Sequence, residues 1–109
     1  MCNSSVCSPS SQVVKEVVSG NFSIGDTTGP VVWIDSNGSY IQGTFQVFNS
    51  STSTSGVVGT VDNATMETAN AGNTISQVFK CPTEFQIVPV SQGSISGSYC
   101  ITLWKFVLA

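Results

Sequence analysis

The sequence predicts an all-β domain of sandwich type behind a short N-terminal connector. Three observations predict it. Val, Ile, Phe and Thr dominate the apolar stretches, and Gly, Asn, Ser and Pro punctuate them at roughly 12-residue intervals. The run Tyr40–Phe48 alternates apolar Ile41, Phe45 and Val47 with polar Gln42, Thr44 and Gln46, the period of a strand with one face buried. No segment carries a convincing helical period.

The connector is residues 1–11. It is rich in Ser, carries Pro9, and is too polar to pack. The body, 12–109, then divides as follows. A first strand runs over 12–18 and on toward Ile24. Residues 25–30 form a turn, and Val31–Ile34 a second strand. Asp35–Gly38 reads as a hairpin turn, since Asn-Gly favours the type I′ geometry. The long strand 40–48 follows, then a Ser/Thr loop over 49–56 and a short strand over 57–61. Residues 62–73 read as connection with one helical turn around 65–69. Strands follow over 74–79 and 83–90. Pro89 marks the latter as an edge strand or a bulge, because proline cannot donate to a ladder. The last strand, 97–108, is apolar on both faces near its end, which suits a central or covered position. Seven or eight such strands fit a jelly roll or an immunoglobulin-like sandwich. The immunoglobulin Cys…Trp…Cys pattern is not met.

Composition narrows function. The chain has 109 residues, which allows one domain with a modest core. Charged residues are 8% of it, against about a quarter in ordinary domains, and roughly a quarter of it is Ser or Thr. The net charge is −3 with only Lys15, Lys80 and Lys105 as bases, which argues against nucleic acid. No apolar run is long enough to span a membrane. There is no His to serve as general base and no Arg to clamp phosphate. The acids Glu16, Asp26, Asp35, Asp62, Glu67 and Glu84 are scattered, with turn capping as their default role. No catalytic group, cofactor or metal site is expected. Trp33, Trp104, Tyr40 and Tyr99 offer either a sugar-stacking platform or core filling, and strand positions favour the core. The Asn-x-Ser/Thr triplets at Asn3, Asn21, Asn37, Asn49 and Asn63 read as chance in so hydroxyl-rich a chain.

The four cysteines carry the functional signal. Cys2 and Cys7 lie in the connector, Cys81 and Cys100 in the body. Twelve extended residues reach at most roughly 40 Å. A body of this length is about 35 Å across. Connector thiols can therefore reach a neighbouring subunit. Pairing of Cys2 with Cys7, free thiols and intermolecular disulfides all remain open on spacing. Metal is disfavoured without His or a Cys-x-x-Cys. The N-terminus shows no basic n-region or apolar h-region, so export through a signal peptide is not expected. Disulfides are rare in reducing cytosol, and the two readings agree if assembly precedes oxidation.

The connector (1–11), the strand 43–50 (Gly-Thr-Phe-Gln-Val-Phe-Asn-Ser), the segment 71–76 (Ala-Gly-Asn-Thr-Ile-Ser) and the closing strand 97–103 (Gly-Ser-Tyr-Cys-Ile-Thr-Leu) together resemble the endospore appendage (Ena) pilin family. The resemblance implies an eight-stranded jelly roll that self-assembles into resistant fibres on the spore surface. It implies subunits joined sideways by sheet augmentation, and layers joined by connector disulfides. Anchor and tip proteins would be further partners. Synthesis in the mother cell and release with the spore would explain the missing signal peptide. The separated Cys2 and Cys7 depart from the adjacent cysteines of the major fibre subunits, and this short chain looks more like the ladder-type subunit. The resemblance makes Cys100 the preferred acceptor for Cys2 or Cys7 of the adjacent layer. Cys81, just before Pro82, is the second acceptor, and Cys81–Cys100 within one chain is the competing pairing. A carbohydrate-binding module with Trp33 or Trp104 exposed and a phage jelly-roll structural protein are the rival classes.

Overall fold

The computed structural model describes the backbone of residues 11–108. The connector's Cys2 and Cys7 lie outside the described residues. Eight strands follow in order: β1 Ser11–Ile24, β2 Val31–Ile34, β3 Gln42–Asn49, β4 Val57–Val61, β5 Ala64–Ala69, β6 Thr74–Lys80, β7 Glu84–Pro89 and β8 Ile95–Leu108. They form two four-stranded antiparallel sheets, β1-β8-β3-β6 and β2-β7-β4-β5. The pairings are nested: first strand with last, second with seventh, third with sixth, fourth with fifth.

The core lies between the sheets. Phe45, Phe85, Ile87, Ile101 and Leu103 are wholly buried, with Phe22, Ile24, Val47, Val57, Val61 and Met66 around them. Phe45 is the hub of the ring contacts, at 4.9 Å from Phe85, 5.8 Å from Phe79 and 5.9 Å from Trp33. The alternation in β3 is realised as read. Phe45 and Val47 point inward, and Gln42 and Gln46 are exposed. Tyr99 also points inward, and its phenol lies over Gly20 of β1. A Cβ there would come within 2.7 Å of the hydroxyl, so a larger residue would require the Tyr99 ring to shift.

Several expectations are corrected. Asp35–Gly38 does not close a hairpin, because β2 and β3 belong to different sheets. Gly38 does take the left-handed φ of 63°. The Asp35 carboxylate holds the turn by accepting from the Ser39 and Asn37 amides at 2.9 and 3.3 Å. The turn therefore carries the chain across the sandwich.

Residues 64–69 are strand β5, not a helical turn. The hairpin before it turns on Asp62 and Asn63, both at positive φ (49° and 72°), a pattern these two residue types tolerate better than most. Asp62 is fixed further by Thr83, whose amide donates at 3.0 Å and whose hydroxyl donates at 2.5 Å. β7 is not an edge strand: it lies between β2 and β4, with Pro89 as its last, buried residue. β8 is central in its sheet, as its two apolar faces suggested.

A bulge in β2 between Val31 and Trp33 turns both Val32 and Trp33 toward the core. Trp33, Tyr40 and Tyr99 pack against the core as expected, whereas Trp104 stands on the opposite side of its sheet. Asn49 is fully buried, and its amide donates to the Ser55 and Ala69 carbonyls at 2.9 Å each. A glycan has no room on such a side chain, in line with reading that triplet as chance.

Truncating the aromatic hub should be severe. Phe45→Ala is expected to cost about 3–5 kcal/mol, the range for deleting a buried ring. Guanidinium unfolding followed by tryptophan emission, through the neighbouring Trp33, measures it. A cost under about 1 kcal/mol would show that Phe45 is not the hub.

Candidate assembly site

Alternation along β8 sorts its residues. Ile95, Ile101 and Leu103 face the core, so Ser96, Ser98, Cys100, Thr102 and Trp104 face outward. Cys100 is thus on the open face of the β1-β8-β3-β6 sheet. Its cross-strand neighbours are Ser19 of β1 and Gln46 of β3. It is partly exposed and carries a free thiol. Beside it is a shallow cavity of about 100 Å³ lined by Gln46, Phe48, Ser98, Tyr99 and Cys100.

Cys81 follows β6 at a left-handed φ of 54°, and its amide donates to the Ile41 carbonyl at 3.1 Å. It is disulfide-bonded, and Cys100 is not. The two are therefore not bonded to each other. Register gives the reason. Lys80 is level with Gln42 and Trp104, and Cys100 is level with Gln46. Two strand spacings and about five residues separate the two cysteines, roughly 20 Å. A disulfide needs Cα atoms within about 7 Å. The competing intrachain pairing is thus excluded by geometry.

The sheet edges are the second element of the site. β1 and β6 bound one sheet, β2 and β5 the other. β2 is short, bulged and preceded by Pro30, features that protect an edge. β6 carries seven residues without proline, and Val78 on it is 53% exposed. Its only guard is Lys80.

A third feature was not read from the sequence. At the end of the sandwich where β1 begins, Glu16, Tyr40 and Lys105 converge. Glu16 and Lys105 are diagonal neighbours across the β1/β8 ladder, joined by an ion pair of 3.0 Å. The Tyr40 hydroxyl donates to the other Glu16 oxygen, and the Lys105 ammonium lies 5.6 Å from the Tyr40 ring centre. The bond from Tyr40 and then Lys105 hold the Glu16 carboxyl below its ordinary range. The same bond to Glu16, with some burial, pushes the Tyr40 phenol up to about 12. Only the parity of Glu16 and Lys105, opposite to that of Lys15 and Trp104, hinted at this cluster.

A cavity of about 320 Å³ on the other sheet is lined by Thr60, Asp62, Asn63, Thr83, Glu84 and Gln86. Among the described residues no group of three or more His, Cys, Asp or Glu side chains is placed to hold a metal. No described helix is long and apolar enough to cross a membrane.

What these features define is a two-sheet β domain with open edges and a partly exposed thiol on one face. The sequence profile of the endospore appendages (Enas) matches residues 4–105, and the chain belongs to that family. The protein is thus a structural component of a spore-surface appendage. A solved structure described by the statement that Bacillus endospore appendages form a novel family of disulfide-linked pili superposes with a TM-score of 0.75. The identity is 16%, over 98% of this chain and 99% of that one, so the likeness is one of fold. The SPBc2 prophage-derived protein YomS aligns with a TM-score of 0.44 and 16% identity, over 82% of this chain and 95% of its own. No curated protein sequence matches the chain.

The Glu16–Tyr40–Lys105 cluster makes stability pH-dependent at both ends. The folded pKa of Glu16 is depressed, so its contribution is present above the unfolded value and is lost as acid titrates the carboxylate. The folded pKa of Tyr40 is raised, so its contribution is full below the unfolded value near 10 and is lost as pH rises toward 12. Tyr40→Phe should flatten the alkaline limb of a Tm-versus-pH curve. An unchanged limb would remove the hydroxyl from the account.

Proposed function

We propose that the protein is a self-assembling, non-enzymatic pilin subunit, folded as a jelly roll and joined to its neighbours by edge-strand pairing and by disulfides through its connector. The observation that carries this reading is the free, partly exposed thiol of Cys100 on an open sheet face. A cysteine there serves no core, and the only other body cysteine is already bonded. Cys2 or Cys7 of a copy in the adjacent layer supplies the second sulfur. The nested order of the strands supports the jelly-roll reading, since a hairpin of four strand pairs wound into two sheets gives that order. The solved appendage structure of the same fold is described as a disulfide-linked pilus, which supports the same chemistry here.

Sideways joining is assigned to the free edge of β6. Its unpaired amides and carbonyls face solvent, and adding a strand satisfies them. Cross-linking follows assembly: two thiols lose two protons and two electrons to dioxygen, met once the spore is released and reduced to hydrogen peroxide. The cross-links then fix a contact that already exists. Anchoring and tip proteins would complete the fibre.

Electron microscopy of protein purified without reductant should show rings, filaments or both. Cys100→Ser should keep the fold and lateral contacts, while stacks fall apart in hot detergent. Peptide mapping of mature fibres should find Cys100 joined to a connector peptide of another chain. Monomers alone at high concentration would sink the assembly reading. Detergent-resistant fibres from the Cys100→Ser protein would sink the cross-link assignment. Lateral joining is tested separately by Ser76→Lys with Val78→Lys, which should give folded monomers. Rings from that variant would remove the β6 edge from the contact.

A further inference from the structure

The open face of the β1-β8-β3-β6 sheet carries a second feature, distant from Cys100. Lys15 is paired across the ladder with Trp104, Trp104 with Gln42, and Gln42 with Lys80. All four side chains lie on the outward parity of their strands, so they form one straight row across the sheet. Three strand spacings make the row about 14 Å long. Lys15, Gln42 and Lys80 are exposed, and none of the four side chains has a hydrogen-bond, ion-pair or ring partner among the described residues.

Trp104 differs from the other aromatics. Trp33 packs 5.8 Å from Tyr40 and 5.9 Å from Phe45, so its faces are taken. Trp104 makes no such contact and is absent from the core. A partly exposed indole on a flat sheet offers an apolar face with hydrogen-bonding groups beside it. Gln42 supplies both a donor and an acceptor on one side. The two ammonium groups stand at the ends of the row.

Charge gives the sign of the ligand. The chain as a whole is at −3. Yet no acid stands on the outward parity of this face among the described residues. Glu16 faces the other way and is paired with Lys105. Asp26 lies in the turn that leads from β1 to β2, and Asp35, Asp62, Glu67 and Glu84 belong to the opposite sheet or its turns.

We infer that the row Lys15–Trp104–Gln42–Lys80 is a binding site for a linear anionic polysaccharide. A pyranose ring stacks its C–H face on Trp104, Gln42 hydrogen-bonds its hydroxyls, and carboxylates on flanking sugars meet Lys15 and Lys80. The length of the row suits a few linked sugars lying across the strands. A second copy of the chain fits less well. The described acids other than Glu16 are scattered over the turns and the opposite sheet, and no three of them are gathered to meet a row of lysines.

The test is a titration of the purified protein with a hyaluronan hexasaccharide, which alternates glucuronate with N-acetylglucosamine, beside neutral cellohexaose. Tryptophan emission and calorimetry read binding, and a thermal melt confirms each variant folded. The uronate should bind saturably, and more tightly than the neutral sugar. Trp104→Ala should weaken it at least tenfold. Lys15→Gln with Lys80→Gln should weaken it severalfold and flatten its salt dependence. Should Trp104→Ala fail to fold, Gln42→Ala reads the same row and should weaken both sugars. Absence of saturable uronate binding overturns the inference, as does binding untouched by these variants. So does equal affinity for the neutral sugar. Lysine variants that abolish self-association without affecting sugar binding would assign the row to a second copy instead.

Discussion

The pairing of β1 with β8 is the constraint on which the rest depends. Two 14-residue strands run antiparallel over their whole lengths, without a register break. They join the two ends of the body, so every other strand pair is enclosed between them. Closing so long a loop is entropically costly and comes late unless nearer pairs form first. The nested order offers such pairs: β4 and β5 meet across a two-residue turn, and each outer pair adds to the one within it. Once closed, β8 is held on both sides, and its outward residues are presented on a rigid sheet.

That rigidity matters for both proposed sites. Cys100 and Trp104 occupy the same face of the same central strand, four residues apart. Their cross-strand neighbours are fixed by register rather than by loop conformation, which is how a reactive or binding side chain is best preorganised.

The Glu16–Tyr40–Lys105 cluster closes the end of the sandwich from which the connector leaves. An ion pair this accessible contributes modestly by itself. Its value is geometric: it ties β1, β8 and the segment before β3 together.

The sequence determined the all-β class, the long alternating β3, the central place of β8 and the cysteine layout, because a strand with one buried face writes its period directly into residue order. Its composition also disfavoured nucleic-acid binding and catalysis. The resemblance carried by 43–50, 71–76 and 97–103 pointed to the family that the comparison then gave. What the tertiary structure decided was whatever depends on which strands become neighbours. Asn37-Gly38 was legible as a turn, but whether it joins strands of one sheet or crosses between two is settled by packing far away. Strand β5 was missed because its short, polar, bulged pairing has weak periodicity, and the Asp62-Asn63 turn beside it was the better signal. Pro89 reads as an edge in isolation, yet at the last position of a strand it removes no amide that the ladder needs. The separation of Cys81 from Cys100, and the side of the sheet on which Trp104 stands, follow from strand order and register. These are long-range properties, set by how two sheets share one core, and no local pattern encodes them.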